Sequence, residues 1–125
     1  MKQLFLTILL LGLLGCSEGQ PEQSKEELNK VFKQIKYQPL VYLIYDGNYL
    51  KIGKTKNIKS RFSALQTGNP NKLYLSGYIL CKTSKEAFKV ERTLHKKFKK
   101  YHKHGEWYDI KIEDIKSSKF NIILP

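Results

Sequence analysis

Apolar positions recur along this chain with two periods, and each change of period marks an element. An apolar run fills residues 4–14, broken only by Thr7 and Gly12, and a polar stretch follows at 17–23. Leu28, Val31, Phe32 and Ile35 then fall on one helical face, and Ser24 with Glu27 has capping-box spacing, which predicts an amphipathic helix over 24–36. After Pro39 the runs at 40–45 and 49–53 flank Asp46-Gly47-Asn48, residues suited to a tight turn, and so predict a β-hairpin. Ile58, Phe62 and Leu65 predict a short helix over 58–66, with Asn57 as its cap and Gly68-Asn69-Pro70-Asn71 as its stop. Residues 73–80 are mostly apolar and predict a third strand, expected at the centre of the sheet. Thr83 with Glu86 starts a long helix whose stripe is Ala87, Val90, Leu94, Phe98 and Tyr101. Residues 105–110 predict a short extended segment, 112–117 a weak helix, and 120–124 an apolar end. The expected fold is α/β of the α+β kind, a small, mainly antiparallel three-stranded sheet flanked by helices.

The first residues change the picture of where this domain resides. Met1-Lys2 ahead of the apolar run has the order of a signal peptide, and the run is shorter than the roughly 20 residues needed to span a bilayer. Leu13-Leu14-Gly15-Cys16 resembles the lipobox of bacterial lipoproteins. That resemblance implies a signal peptide at 1–15, lipidation of Cys16, a tether over 16–23, and an exported protein anchored by lipid to a membrane, facing the periplasm or the cell exterior. Cys81 is then the one other cysteine, which excludes an intramolecular disulfide within the mature chain and suits a small buried apolar residue.

Charge narrows the partners. The chain carries 23 Lys and Arg against 11 Asp and Glu, a formal net charge of +12. Removing residues 1–15 deletes only Lys2 and leaves +11. Such an imbalance points to polyanions, either nucleic acid or anionic lipid. The densest basic region is 82–104, with nine Lys and Arg, three His and only Glu86 and Glu91 in opposition. Tyr101, Trp107 and Tyr108 stand close by, so charges for phosphates accompany rings on which bases can stack. The candidate nucleic-acid contacts are Lys54, Lys59, Lys89, Arg92, Lys96, Lys97, Lys100 and Trp107.

Two familiar chemistries are weak here. His95, His102 and His104 lack a cysteine or further carboxylate to complete a zinc set. Gly53-Lys54-Thr55 ends like a phosphate-binding loop, but Asn48 occupies the position of that motif's first glycine.

Tyr42 within Leu40-Val41-Tyr42, then Lys51-Ile52-Gly53, Arg61 in the following helix, and Glu91 with His95 in the long helix resemble the motif series of the GIY-YIG nuclease superfamily. The likeness runs over about residues 40–110 and is closest to a phage-associated branch with Lys-Ile-Gly as second motif, then Leu65-Gln66-Thr67-Gly68-Asn69-Pro70 and Gly105-Glu106-Trp107. It implies a nuclease domain over 39–111, preceded by the helix of 24–38 and followed by an extension over 112–125. It further implies hydrolysis of phosphodiesters, most naturally in DNA, by an endonuclease with one divalent metal, Mg2+ or Mn2+, and no small-molecule cofactor. Glu91 is the candidate metal ligand, Arg61 the phosphate clamp, and Tyr42 and His95 further catalytic candidates. Neighbouring cations such as Lys51 and Arg61 would be needed to favour a Tyr42 phenolate. The sequence departs from the family at Leu40, in place of a glycine, and at Lys51, in place of the second tyrosine. Tyr49 is the candidate to stand in for that phenol, and Lys51 itself is a candidate phosphate contact. Three readings stay open: a metal-dependent nuclease, a non-catalytic nucleic-acid-binding lipoprotein of the same fold, and a basic domain lying on anionic lipid.

Overall fold

The computed structural model describes residues 23–125. The expected signal peptide, Cys16 and most of the tether lie outside the described residues. Helix α1 (Lys25–Ile35) opens on the capping box read from the sequence: Glu27 N donates to Ser24 Oγ at 3.1 Å, and Ser24 N donates to Glu27 Oε1 at 3.2 Å. Strands β1 (Leu40–Tyr45) and β2 (Leu50–Thr55) form the antiparallel hairpin, with Leu40 opposite Thr55 and Tyr45 opposite Leu50. Its turn is held by Asp46 Oδ1, which accepts from Asn48 N at 2.8 Å and Tyr49 N at 2.7 Å. Gly47 takes φ +101°, a value that a residue with a Cβ rarely adopts. Helix α2 (Ile58–Thr67) is capped by Asn57 as expected. After it Gln66 closes the loop of 68–72, its amide donating to Asn71 O at 2.8 Å and accepting from Leu73 N at 2.8 Å.

Strand β3 (Tyr74–Leu80) pairs antiparallel with β1. Helix α3 (Ser84–Lys97), capped by Thr83, is followed by a 3-10 turn at Lys99–Tyr101, strands β4 (His102–His104) and β5 (Trp107–Tyr108), and helix α4 (Ile112–Lys116). The sheet has five strands in the order β3-β1-β2-β5-β4, and every named pairing is antiparallel. The α+β class therefore stands, with two short strands added beyond β2.

β1 is an inner strand, flanked by β3 and β2 and buried at all six positions. Its alternating residues feed two cores. Val41, Leu43 and Tyr45 join Leu50, Ile52 and the α3 residues Ala87, Val90 and Leu94 on one face. Leu40, Tyr42 and Ile44 join Phe32 and Ile35 of α1 and Ile58 and Phe62 of α2 on the other. Helices cover both faces, which is why β1 reads as a continuous apolar run rather than an alternating one.

Three expectations change. β3 is the edge strand rather than a central one. Its apolar content serves burial on its faces, and its outer edge is covered by local partners. Gln23 exchanges two hydrogen bonds with the Leu75 backbone, at 2.9 and 3.1 Å, and the backbones of Ile123 and Tyr78 exchange two more. The stripe of α3 ends at Phe98, because the helix gives way to a 3-10 turn and Tyr101 emerges 43 % exposed. The segment 102–104, read as the end of the basic region, is a strand. Cys81 is buried, as its composition suggested, and burial, with Glu86 adding to it, pushes the thiol above its ordinary range.

Gly53 faces Tyr42 directly across the hairpin. A Cβ at Gly53 would overlap the Tyr42 ring and hydroxyl, so this glycine is what lets the tyrosine lie flat against β2. Gly53→Ala is therefore expected to lower stability by about 1–3 kcal/mol, measured as a shift in the denaturant midpoint, and a neutral result would show that the Tyr42 ring is free to move.

Candidate metal and phosphate site

The site lies along the outer edge of β2. β5 pairs with β2 only at Leu50 and Lys51, so beyond that point no further strand of the sheet covers the edge. Both backbone groups of Ile52 on this edge are taken. Its N–H donates to Glu106 O at 3.0 Å, and its carbonyl lies 2.8 Å from His95 Nε2. A carbonyl only accepts, so Nε2 is the donor in this bond and Nδ1 is the ring nitrogen left to face a ligand.

Around this point Glu91, His95 and Glu106 converge, one ligand atom from each lying within 4.8 Å of the others. Glu91 and His95 stand one turn apart on α3, the spacing that puts two side chains on one face. Glu106 comes from the tight connection between β4 and β5, where Gly105 takes φ +56°. Among the described residues Glu91 is the one buried charged group, at 6 % exposure. Burial raises its carboxyl above the ordinary range, the Glu106 carboxylate and a hydrogen bond with it add to the rise, and His95 and Lys54 oppose it. Two carboxyls and an imidazole crowded in this way are relieved by a cation, and the N,O donor set is compatible with a divalent metal.

Lys51 points into the same region. Its ammonium pairs with Glu106 at 3.5 Å and lies 5.3 Å from the centre of the Trp107 ring opposite it in the ladder. Lys51 therefore steadies a carboxylate of the triad. Tyr42, 2 % exposed, reaches the same space over Gly53. Burial drives its hydroxyl well above the usual phenol range, Glu106 and Glu91 push the same way, and Arg61 opposes them. The expectation that cations would favour a phenolate is thus corrected. The buried phenol keeps its proton.

Arg61 is exposed on α2 and borders a cavity of about 280 Å³ with Lys54, Thr55 and Lys56. Lys89, Arg92 and Lys96 line a second cavity, of about 620 Å³, together with His95. Tyr42, Lys51, Lys54, Arg61, Glu91, His95 and Trp107 are thereby brought to one region. Other sequence candidates lie elsewhere. Tyr49 sits at the hairpin turn with Lys103 Nζ 5.6 Å from its ring centre, and Lys59 belongs to a cleft between α1 and α2. Lys97 and Lys100 lie over Phe98 and Tyr101, at 5.6 and 5.5 Å. His102 meets Gly105 O and the edge of Tyr108, and Tyr108 in turn stacks on His95.

Glu106 is a candidate ligand that the sequence pattern did not single out. The signal available was its place in Gly105-Glu106-Trp107, a carboxylate at a glycine turn beside an aromatic residue.

No characterised protein and no solved structure matches the chain. The T5orf172 domain family does match, over residues 39–122. That span runs from the start of the hairpin past α4 and takes in every residue of the site, so the chain belongs to this phage-associated, nuclease-related domain family.

Proposed function

We propose that this protein is a metal-dependent endonuclease of the GIY-YIG type that hydrolyses phosphodiester bonds in DNA. The observation that carries the reading is the convergence of Glu91, His95 and Glu106 beside a buried phenol and an exposed guanidinium. The three residues would hold one divalent ion, Mg2+ or Mn2+. Such an ion, when bound, polarises a phosphate oxygen and offsets the charge that develops there.

The chain's own groups supply the rest. Arg61 offers a planar fork to the non-bridging oxygens of the phosphate, and Lys54 adds a second cation on the rim of the same cavity. Tyr42, protonated across the physiological range, donates a hydrogen bond to an oxygen at the reacting phosphate or to the attacking water. Lys51 holds Glu106 in place, and the Ile52 carbonyl fixes the tautomer of His95. Lys89, Arg92 and Lys96 continue the positive surface along α3 and contact flanking phosphates. The N-terminal pattern supports a companion proposal, that Cys16 is acylated and the domain works outside the cytoplasm. The anchor proposed is the lipid; no helix among the described residues is long and apolar enough to cross a membrane.

Three measurements test these readings. The purified full chain in detergent is expected to nick supercoiled plasmid with Mg2+ or Mn2+ and not with chelator. Glu91→Gln and Arg61→Ala each lower the rate by about 10²-fold or more, while Glu91→Gln keeps plasmid retardation in a gel. Retarded but intact plasmid with either metal would replace the enzyme with a DNA-binding domain.

A second test uses stability. Because the folded state raises the Glu91 carboxyl, the folded chain binds the extra proton between the ordinary carboxylate range and the raised value, and stability falls as pH climbs through that window. Without metal, Glu91→Gln should melt above the wild type at pH 7.5, with the gap closing near pH 4. Mn2+ at about 100 times its Kd should add about 2.7 kcal/mol to the wild type, seen as a rise in Tm that Glu91→Gln and Glu106→Gln largely lose. An equal rise in all three proteins would move the metal elsewhere.

Finally, cells expressing the chain should incorporate labelled fatty acid into it, and Cys16→Ser should abolish the label. Label retained in Cys16→Ser would remove the anchor proposed here.

A further inference from the structure

Phe88 is an aromatic side chain 46 % exposed on α3, outside both cores. A lone exposed apolar residue is ordinary on a protein surface, and Tyr37 and Tyr101 are exposed as well. Phe88 differs in its surroundings. Lys54 Nζ from β2 and the Arg92 guanidinium from the next turn lie 5.9 and 5.6 Å from its ring centre. Lys54 also borders the Arg61 cavity, and Phe88 and Arg92 share a cavity with His95. The ring thus bridges the phosphate-clamp side of the site to the metal-ligand side. Glu91, Arg92 and His95 follow Phe88 by 3, 4 and 7 residues, which puts the ring on their face of the helix, about one turn from Glu91 and about two turns from His95.

A ring with an open flank between two cations, one helical turn from a phosphate site, has the makeup of a stacking platform for a nucleobase, with the cations free to swing onto the adjoining phosphates. Bases inside a duplex present no open face to such a ring. We propose that Phe88 stacks on an unpaired base next to the scissile phosphate, so that this site prefers single-stranded or locally opened DNA. The inference rests on the nucleic-acid reading of the site but not on cleavage.

The test therefore measures binding in chelator with the full chain. A 12-nucleotide single strand carrying 2-aminopurine and the matching duplex are titrated against wild type, Phe88→Trp, Phe88→Leu and Phe88→Ala. Stacking predicts quenching of the single-strand fluorescence by wild type and Phe88→Trp. Phe88→Leu and Phe88→Ala should lose that quenching and about tenfold in single-strand affinity, with duplex affinity changed less than twofold. Phe88→Leu keeps the apolar bulk, so it separates stacking from packing. Phe88→Leu equal to wild type, or equal losses on single strand, duplex and phosphatidylglycerol vesicles, would overturn the platform. Quenching by a wild-type chain that fails to cleave with any metal would retain the platform and discard the nuclease, whereas cleavage without quenching would do the reverse.

Discussion

Two backbone groups of one residue hold the candidate site together. Ile52 donates its N–H to Glu106 and offers its carbonyl to His95, so a single point on β2 fixes the turn that carries one candidate ligand and the helix that carries the other two. The Ile52 side chain is fully buried in the α3 core. Its backbone therefore has little freedom, and the position of the triad is inherited from the hydrophobic packing beneath it. Lys51 and Gly53 on either side face the opposite way, toward Tyr42 and Trp107. The motif Lys51-Ile52-Gly53 thus serves three needs at once: a cation for Glu106, a backbone anchor for the ligands, and room for a phenol.

The local electrostatics run against the global charge. A chain of net charge +12 draws polyanions over a broad surface, yet at the centre of that surface two carboxyls share a hydrogen bond and one of them is almost wholly buried. Long-range attraction belongs to the exposed lysines and arginines, and it weakens with salt. The acidic centre acts at short range and gives a cation a reason to bind there. Tyr42 belongs to the same balance, because the carboxylates that attract a cation also help to keep its proton in place.

Much of this was legible in the chain. Local rules found the capping box at Ser24 and Glu27, the hairpin turn at Asp46, and the Glu91–His95 pair, because each depends on residues within four positions of one another. Glu106 was not legible as a ligand. Its place depends on a two-residue ladder between Lys51 and Trp107, far apart in sequence, and on a bond to the Ile52 backbone, which no side-chain pattern reveals. The edge position of β3 was hidden for a related reason, since coverage of both its faces gave it the composition of an inner strand. The protonated state of Tyr42 depends on burial between sheet and helix, which spacing alone does not measure.

The short ladder between β2 and β5 has a kinetic meaning. Pairing at only Leu50 and Lys51 is a slender attachment compared with the six-residue register between β1 and β2. Segments with few backbone bonds open locally, at a fraction of the free energy needed to unfold the whole chain. The stretch carrying Glu106 is therefore the most weakly paired part of the site, tied to the fold chiefly through Tyr108, which is buried in the α3 core. Glu91 and His95 sit on a helix packed into that same core, so Glu106 is the member of the triad that local opening would carry away.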